Sequence, residues 1–423
     1  MTQFSELGLA PNLLNAITAM GYTEATPIQA KAIPEILKGR DLMGLAQTGT
    51  GKTAAFGLPL VQRLMPLPDR PAAKTVRALI LAPTRELTTQ IYDNLRAMTK
   101  NSHLRINIVI GGVGLQRQAQ NLSRGTDILV ATPGRLIDLL ERRDVRLDAA
   151  DYLVLDEADQ MLDMGFIHAL RRIAKLLPEK RQTLLFSATM PKLMAELAQT
   201  YLKDPVRVQV SPPGKAADKV RQVVHFVSQK NKYTLLRELL SQNPDDLSLV
   251  FSRTKHGAEK MMKLLVSHDF KAISIHGNKS QNQRDRAIAG FKSGEYRILV
   301  ATDVAARGID IPGVSHVYNY DLPDVAENYV HRIGRTARAG EAGEAVAFCA
   351  PTENKLLREI EKLMKIEIET ASGVMQPDED APKQQRGGSG RRGQGQGQGR
   401  PAGVSSLSKP KSRHGAPRRR KTA

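Results

Sequence analysis

Apolar residues in this chain fall in short unbroken runs rather than in alternation with polar ones. The first set is "DLMGLA", "RALILAP", "INIVIG", "DILVATP", "YLVLDEAD" and "QTLLFSAT". Runs of this kind are expected of strands covered on both faces, as in a parallel sheet between helices. Helical patterns such as "AAFGLPLVQRL" lie between them, so the pattern predicts alternating β and α elements. The stretch "SPPGKAADK", Ser211 to Lys219, interrupts the alternation with Pro and Gly. A second set then follows: "VVHFVS", "LSLVFSRT", "AISIHG", "YRILVATD", "HVYNYD" and "GEAVAFCAP". The prediction is two tandem α/β domains with parallel sheets, spanning residues 1–210 and 220–372, joined by a linker at 211–219.

Residues 373–423 break from both patterns. From Lys383 onward the chain holds twelve of the 62 Lys and Arg residues and none of the 43 Asp and Glu. The net charge of +19 therefore falls to +7 for residues 1–382. Segments such as "GGSGRRGQGQGQGRP", without Phe, Tyr or Trp, bury too little apolar surface to offset ordering entropy. The tail is expected to be disordered.

Composition narrows the function classes. A hydrophobic fraction of 41% and a charged fraction of 25% suit a soluble globular chain. Its net charge and a pI near 10 point to a polyanionic partner. No apolar run has membrane-spanning length, and "MTQFSELGL" lacks the form of a signal peptide, so no membrane role is expected. The single cysteine, Cys349 in "AVAFCAP", reads as core, and a chain with one cysteine fits a reducing cytoplasm.

Two motifs carry chemistry. "AQTGTGKT", Ala46 to Thr53, sits between an apolar strand and a helical pattern and matches the Walker A form, with Ala46 where the strictest form has Gly. Gln47, Thr48, Gly49, Thr50 and Gly51 can wrap phosphate oxygens with backbone N–H groups, Lys52 reaches the β- and γ-phosphates, and Thr53 can ligate Mg²⁺. The second motif ends "YLVLDEAD", where acids crowd a strand terminus in a basic chain. Asp156 suits the metal, and Glu157 is placed to orient or deprotonate an attacking water. The plainer alternative is that these acids cap and charge a helix start.

Together with "PTREL" (Pro83–Leu87), "TPGR" (Thr132–Arg135), "SAT" (Ser187–Thr189), "ATDVAARGID" (Ala301–Asp310) and "HRIGRTARAG" (His331–Gly340), these motifs resemble those of the DEAD-box ATP-dependent RNA helicases over roughly residues 1–370. The compact core with a short basic tail is most like the bacterial RhlE group. One departure is Ala337, where many members have Gly, a small-for-small change.

The resemblance implies two RecA-like domains that close on ATP, Mg²⁺ and RNA together. Gln29 of "TPIQ" would select adenine, since its amide can donate to and accept from one base edge. Phe4 would stack on that base. Asp159 would link the ATP site to Ser187, Thr189 and His331. Arg335 and Arg338 would act as arginine fingers from the second domain, and a helix through His331, Arg335 and Arg338 would show them on one face. Asp303, Arg307 and Asp310 would line the same cleft.

RNA contacts are implied for Thr84, Arg85, Gly111, Gly112, Thr132 and Arg135 in the first domain. In the second they fall on Arg253, His276, Gly277, Arg284 and Thr302. Hydroxyls, backbone N–H groups and guanidiniums suit phosphate and 2′-OH groups, so single-stranded and duplex RNA would be held largely without regard to sequence. An aromatic fraction of 4% argues against a base-stacking platform. The expected activity is RNA-stimulated ATP hydrolysis with local opening of short duplexes, in the cytoplasm, on partners from ribosome precursor maturation or RNA decay. Two rival readings are a DNA translocase with the same engine, which "TPIQ" and the "DEAD" tetrad argue against, and an RNA annealing protein led by the tail.

Overall fold

A computed structural model describes residues 2–46, 49–100, 102–210, 220–306, 311, 313–337 and 342–376. The expected linker and the tail from residue 377 on lie outside the described residues.

Seven parallel strands form the first sheet: β1 Leu42–Leu45, β2 Val76–Leu81, β3 Ile106–Val109, β4 Thr126–Ala131, β5 Tyr152–Leu155, β6 Gln182–Ser187 and β7 Val206–Gln209. Their order across the sheet is β3-β4-β2-β5-β6-β1-β7. Apolar side chains fill both faces. Ile80, Ile128 and Val154 pack with the helices Lys52–Leu64 and Arg85–Met98 on one side, while Leu79, Leu129 and Leu153 pack with Pro133–Glu141 and Lys192–Tyr201 on the other. Double-sided burial is why these strands read as continuous apolar runs.

The second sheet repeats the plan with β8 Val220–Phe226, β9 Leu247–Phe251, β10 Ala272–Ile275, β11 Ile298–Ala301, β12 Val314–Asn319, β13 Gly343–Cys349 and β14 Glu369–Ser372. Its order is β10-β11-β9-β12-β13-β8-β14, and every pairing is parallel. Station for station, this is the order of the first sheet. Cys349 is buried in its core, as expected.

Sequence patterning identifies six of the seven strands in each sheet; β7 and β14 are additions at the edges. Ahead of the first sheet, a 3₁₀ turn at Phe4–Leu7 and the helices Pro11–Ala19 and Pro27–Leu37 pack onto its core. Among the described residues no helix is long and apolar enough to cross a membrane.

Candidate ATP site and domain junction

β1 ends at Leu45, and the helix Lys52–Leu64 begins seven residues further on. Gly51 caps that helix with φ 90°, a conformation that side chains with a Cβ disfavour. A Cβ there would also lie 2.4 Å from Gln29 Nε2. Gln29 is itself pinned. Its Oε1 accepts from Thr26 N (2.9 Å) and its Nε2 donates to the Gly51 carbonyl (3.1 Å), which ties the "TPIQ" turn to the phosphate loop. An amide oxygen and an NH₂ group each retain one further bonding position, enough for a base edge. Gln47 and Thr48 lie outside the described residues.

Lys52 is buried, with Nζ donating to the Ala46 carbonyl (3.2 Å) and standing 3.8 Å from Asp156 Oδ1. Asp156 follows the last residue of β5 directly and is tied to the sheet by its N–H on the Leu81 carbonyl (2.9 Å). Burial pushes its carboxyl up to about 6, against the pull of Lys52 and with the charges of Glu157 and Asp159 adding to the rise. All three carboxylates of "DEAD" are buried. Glu157 takes a left-handed conformation (φ 50°, ψ 51°) at the start of the helix Ala158–Asp163. A non-glycine residue held there carries strain of about 1–3 kcal/mol, which is characteristic of functional turns. The plainer expectation that these acids open a helix is therefore also met in position, although the Glu157 side chain makes no capping bond.

Asp159 reaches the end of β6. Its Oδ2 accepts from Ala188 N (3.1 Å), Thr189 N (2.9 Å) and Thr189 Oγ1 (2.9 Å), while Ser187 Oγ donates to the Thr189 carbonyl (2.7 Å). Phe4, expected on the adenine, is 5% exposed and stacks on Tyr22 with ring centroids 6.2 Å apart. Its ring belongs to the core of the first domain.

In the second domain the helix Ala326–Ile333 ends at Gly334, so the expected single helix through His331, Arg335 and Arg338 is corrected. Arg335 nevertheless stays close to His331, donating from Nε to its carbonyl (3.2 Å), and both line a small cavity with Asp303 and Phe251. Arg332, which sequence reasoning passed over, is 2% exposed. It holds both oxygens of Asp303 (2.6 and 2.7 Å) and stacks over Phe251 (4.8 Å). Asp303 is thus oriented by a buried arginine. Arg307, Asp310 and Arg338 lie outside the described residues. Ala337 has φ 53°, so the exchange with Gly noted above is not conformationally neutral.

Several residues expected along RNA converge where the C-terminal ends of β2, β3 and β4 face the second domain. Thr84 caps the helix Arg85–Met98 by accepting from Leu87 N (3.2 Å). The Arg85 guanidinium lies over Gly111 and Gly112, and a Cβ on Gly112 would come within 2.2 Å of it. Thr132 precedes the helix Pro133–Glu141 without a side-chain capping bond, and from that helix Arg135 Nη1 donates to the Val113 carbonyl (2.7 Å). Across from them, Arg284 Nε donates to Glu86 Oε1 (2.6 Å) and Arg85 Nη1 donates to Gln281 Oε1 (3.3 Å). Both partners of the Arg284–Glu86 pair are largely buried. Arg85 and Arg284, assigned to RNA from sequence, are engaged across the domain junction, and Glu86 and Gln281 are the members sequence reasoning missed.

The remaining second-domain residues differ in setting. His276 accepts at Nδ1 from Asn278 N (3.3 Å), which turns its Nε2 proton to Glu259 (3.0 Å). Glu259 also accepts from Lys279 and Ser274; hydrogen bonds, first from Lys279, hold its carboxyl down at about 2. Gly277 is open around its Cα, and Thr302, directly after β11, is nearly buried. Arg253 is drawn instead onto Glu353 (3.1 Å), Asp324 (3.4 Å) and the Leu322 carbonyl (3.1 Å).

A glycine-capped phosphate loop, its buried lysine against an aspartate, and a second sheet of the same order define a tandem RecA-like P-loop protein. Comparison with known proteins carries this to a family. The DEAD/DEAH box helicase pattern matches residues 26–197, and the helicase conserved C-terminal domain matches residues 231–340. The ATP-dependent RNA helicase CshA of Limosilactobacillus reuteri is 45% identical over 366 residues, covering 86% of this chain and 73% of that one. CshA of Listeria monocytogenes is 45% identical over 365 residues, with 86% and 69% covered. Among solved structures, S. cerevisiae Dbp5 bound to RNA and ADP BeF3 superposes with a TM-score of 0.78 at 32% identity, covering 90% of this chain and 97% of that one. Mss116p bound to ssRNA and AMP-PNP also gives a TM-score of 0.78, at 31% identity, with 88% and 79% covered. The chain belongs to the DEAD-box ATP-dependent RNA helicases.

Proposed function

We propose that this helicase opens short RNA duplexes locally, closing on ATP and single-stranded RNA together and letting go after hydrolysis. The observation that carries the reading is the buried Lys52–Asp156 pair among three buried carboxylates. That excess of negative charge, with oxygen donors from Thr53 and Asp156, fits Mg²⁺. When bound, the ion offsets phosphate charge. Lys52 grips the β- and γ-phosphates, and Glu157 takes a proton from the water that attacks the γ-phosphorus. The bond to the β-bridging oxygen breaks, and ADP leaves with that oxygen. Arg335 and Arg338 neutralise the transferring group once the domains close. Gln29 reads the adenine, and Asp159 relays the state of the site through Thr189.

RNA lies along Thr84, Gly111, Gly112, Thr132 and Arg135, continues over His276, Gly277 and Thr302, and is sensed at the Arg85–Gln281 and Arg284–Glu86 contacts. Backbone recognition leaves it largely indifferent to base sequence. A few base-pair steps, at about 1.4 kcal/mol each on the DNA stacking scale, are within reach of one closure. Placement in the cytoplasm rests on the cysteine content, and partners in ribosome precursor maturation or RNA decay rest on the family. Membership of the RhlE group rests on the compact core and short tail, whereas the curated relatives named above are CshA proteins.

Strand displacement on duplexes of rising length tests the reading, with ATPase measured on RNA and DNA. Rates should fall steeply with length, and RNA alone should stimulate turnover. Length-independent unwinding, or equal stimulation by DNA, would overturn it.

A further inference from the structure

The helices Arg85–Met98 and Leu115–Leu122 pack on opposite faces of the first sheet. Between them the edge strand β3 is uncovered on its outer side, where a groove of about 770 Å³ opens. Arg96 and Lys100 stand on one wall. Arg105, whose Nη1 donates to the Arg124 carbonyl (3.2 Å), and Arg124 stand on the other. Among the described residues no Asp or Glu lines this groove.

Its floor is a strand edge with one end already satisfied. The Arg105 carbonyl accepts from Ile128 N and the Val109 carbonyl from Thr132 N, so odd-numbered residues of β3 turn their backbone groups toward β4. Even-numbered residues turn theirs outward. At Ile110 the outward N–H donates to Gln118 Oε1 (2.9 Å) and the carbonyl accepts from Gln118 Nε2 (3.1 Å), the pair of bonds an adjacent strand would make. Ile106 lines the groove, and among the described residues neither Ile106 nor Ile108 has a neighbouring strand on that side.

We propose that the outer edge of β3 is a docking site for an acidic, extended segment of a partner protein, which adds to the sheet as a further strand. The side chains of an added strand alternate between the two faces of a sheet, and here both faces carry cations. A nucleic-acid strand could use the charges and accept from the outward N–H groups, but its phosphates offer no donors to the outward carbonyls, which a peptide backbone does. Cations at an edge can also serve only to prevent strand-to-strand aggregation, which makes the peptide the point to test.

The test uses full-length protein and a labelled eight-residue glutamate peptide, read by anisotropy and by amide hydrogen exchange. Saturating peptide should slow exchange at Ile106 and Ile108 about tenfold or more. The double variant Arg105→Glu/Arg124→Glu should need about tenfold more peptide to protect these amides, while RNA-stimulated ATPase stays intact. A peptide of equal charge but with N-methylated backbone should bind the basic tail alike and give no protection at β3. Equal peptide requirement for protecting Ile106 and Ile108 in wild type and variant would overturn the proposal, as would equal protection by the N-methylated peptide. Protection of the same amides by a ten-nucleotide single-stranded RNA in place of the peptide would assign the groove to RNA and overturn it too.

Discussion

The two domains place a lysine and an aspartate at the same stations and use them differently. In the first, Lys52 opens the helix after β1 and lies 3.8 Å from Asp156, just beyond β5. In the second, Lys232 opens the helix after β8 and lies 3.9 Å from Asp321, just beyond β12. The topology delivers both pairs. Glu353 makes the difference. It bonds Lys232, which is fully buried and also donates to the Tyr320 carbonyl (2.7 Å), and it accepts from Arg253, Leu322 N and Ala350 N as well. The loop before Lys232, "VSQKN", has no glycine to let backbone N–H groups close around a phosphate. One lysine is proposed to hold phosphate, and the other is a buried strut.

The largest expected effect breaks the first half of that comparison. Glu157→Gln keeps the shape of the side chain and removes the proton acceptor, so ATP turnover should fall about 10²–10⁴-fold while ATP and RNA binding persist. Single-turnover hydrolysis at saturating RNA measures it, and wild-type rates would remove Glu157 as the base. Lys232→Ala tests the other half. It leaves Glu353 and Asp321 facing each other in the core, which should cost about 3–5 kcal/mol of second-domain stability in urea. Lys52→Ala, by contrast, should abolish turnover with far less destabilisation; equal losses of stability in the two variants would erase the distinction.

Apolar runs revealed most strands because helices cover both faces of each sheet. β7 and β14 gave no such signal: "VRVQ" is only half buried and "ETAS" is exposed throughout, both at sheet edges. The family resemblance implied the link from Asp159 to Thr189, and the structure forms it between the ends of two strands that the apolar runs predict. Contacts such as Arg284–Glu86, 198 residues apart, or Lys232–Glu353, 121 apart, leave no trace in periodicity. Arg332 was hidden for another reason. An arginine among other basic residues on a helix reads as a solvated face, and only the fold reveals that Asp303 and Phe251 enclose it.

The junction offers the next prediction. Arg284→Ala removes the partner of the nearly buried Glu86, and truncating one member of such a pair costs about 2–5 kcal/mol. The loss should fall on domain closure, because the two residues belong to helices of different domains. Duplex unwinding should therefore drop more than tenfold while the urea midpoints of the two domains stay put. The swap Glu86→Arg/Arg284→Glu should recover part of the unwinding. An unchanged unwinding rate in Arg284→Ala would mean that the contact does not couple the domains.

The smallest effect concerns Ala337, beside the predicted arginine fingers. At φ 53° an alanine Cβ crowds the backbone, which a glycine avoids at about 1–2 kcal/mol less strain. Glycine also gains freedom in the unfolded chain, which takes back about 0.4–1 kcal/mol. The balance for Ala337→Gly is a gain of about 0–1.6 kcal/mol in second-domain stability, visible as a higher urea midpoint with unchanged slope. Thr336 helps hold the turn by donating from Oγ1 to the Ser315 carbonyl (3.1 Å), so the backbone should keep its left-handed shape in the variant. Turnover bears on the same point. If the turn already aims the second-domain arginines correctly, ATPase should stay within about twofold of wild type. A lower midpoint would show that residue 337 does not need the left-handed conformation, and its exchange for glycine in relatives would then have no conformational reason.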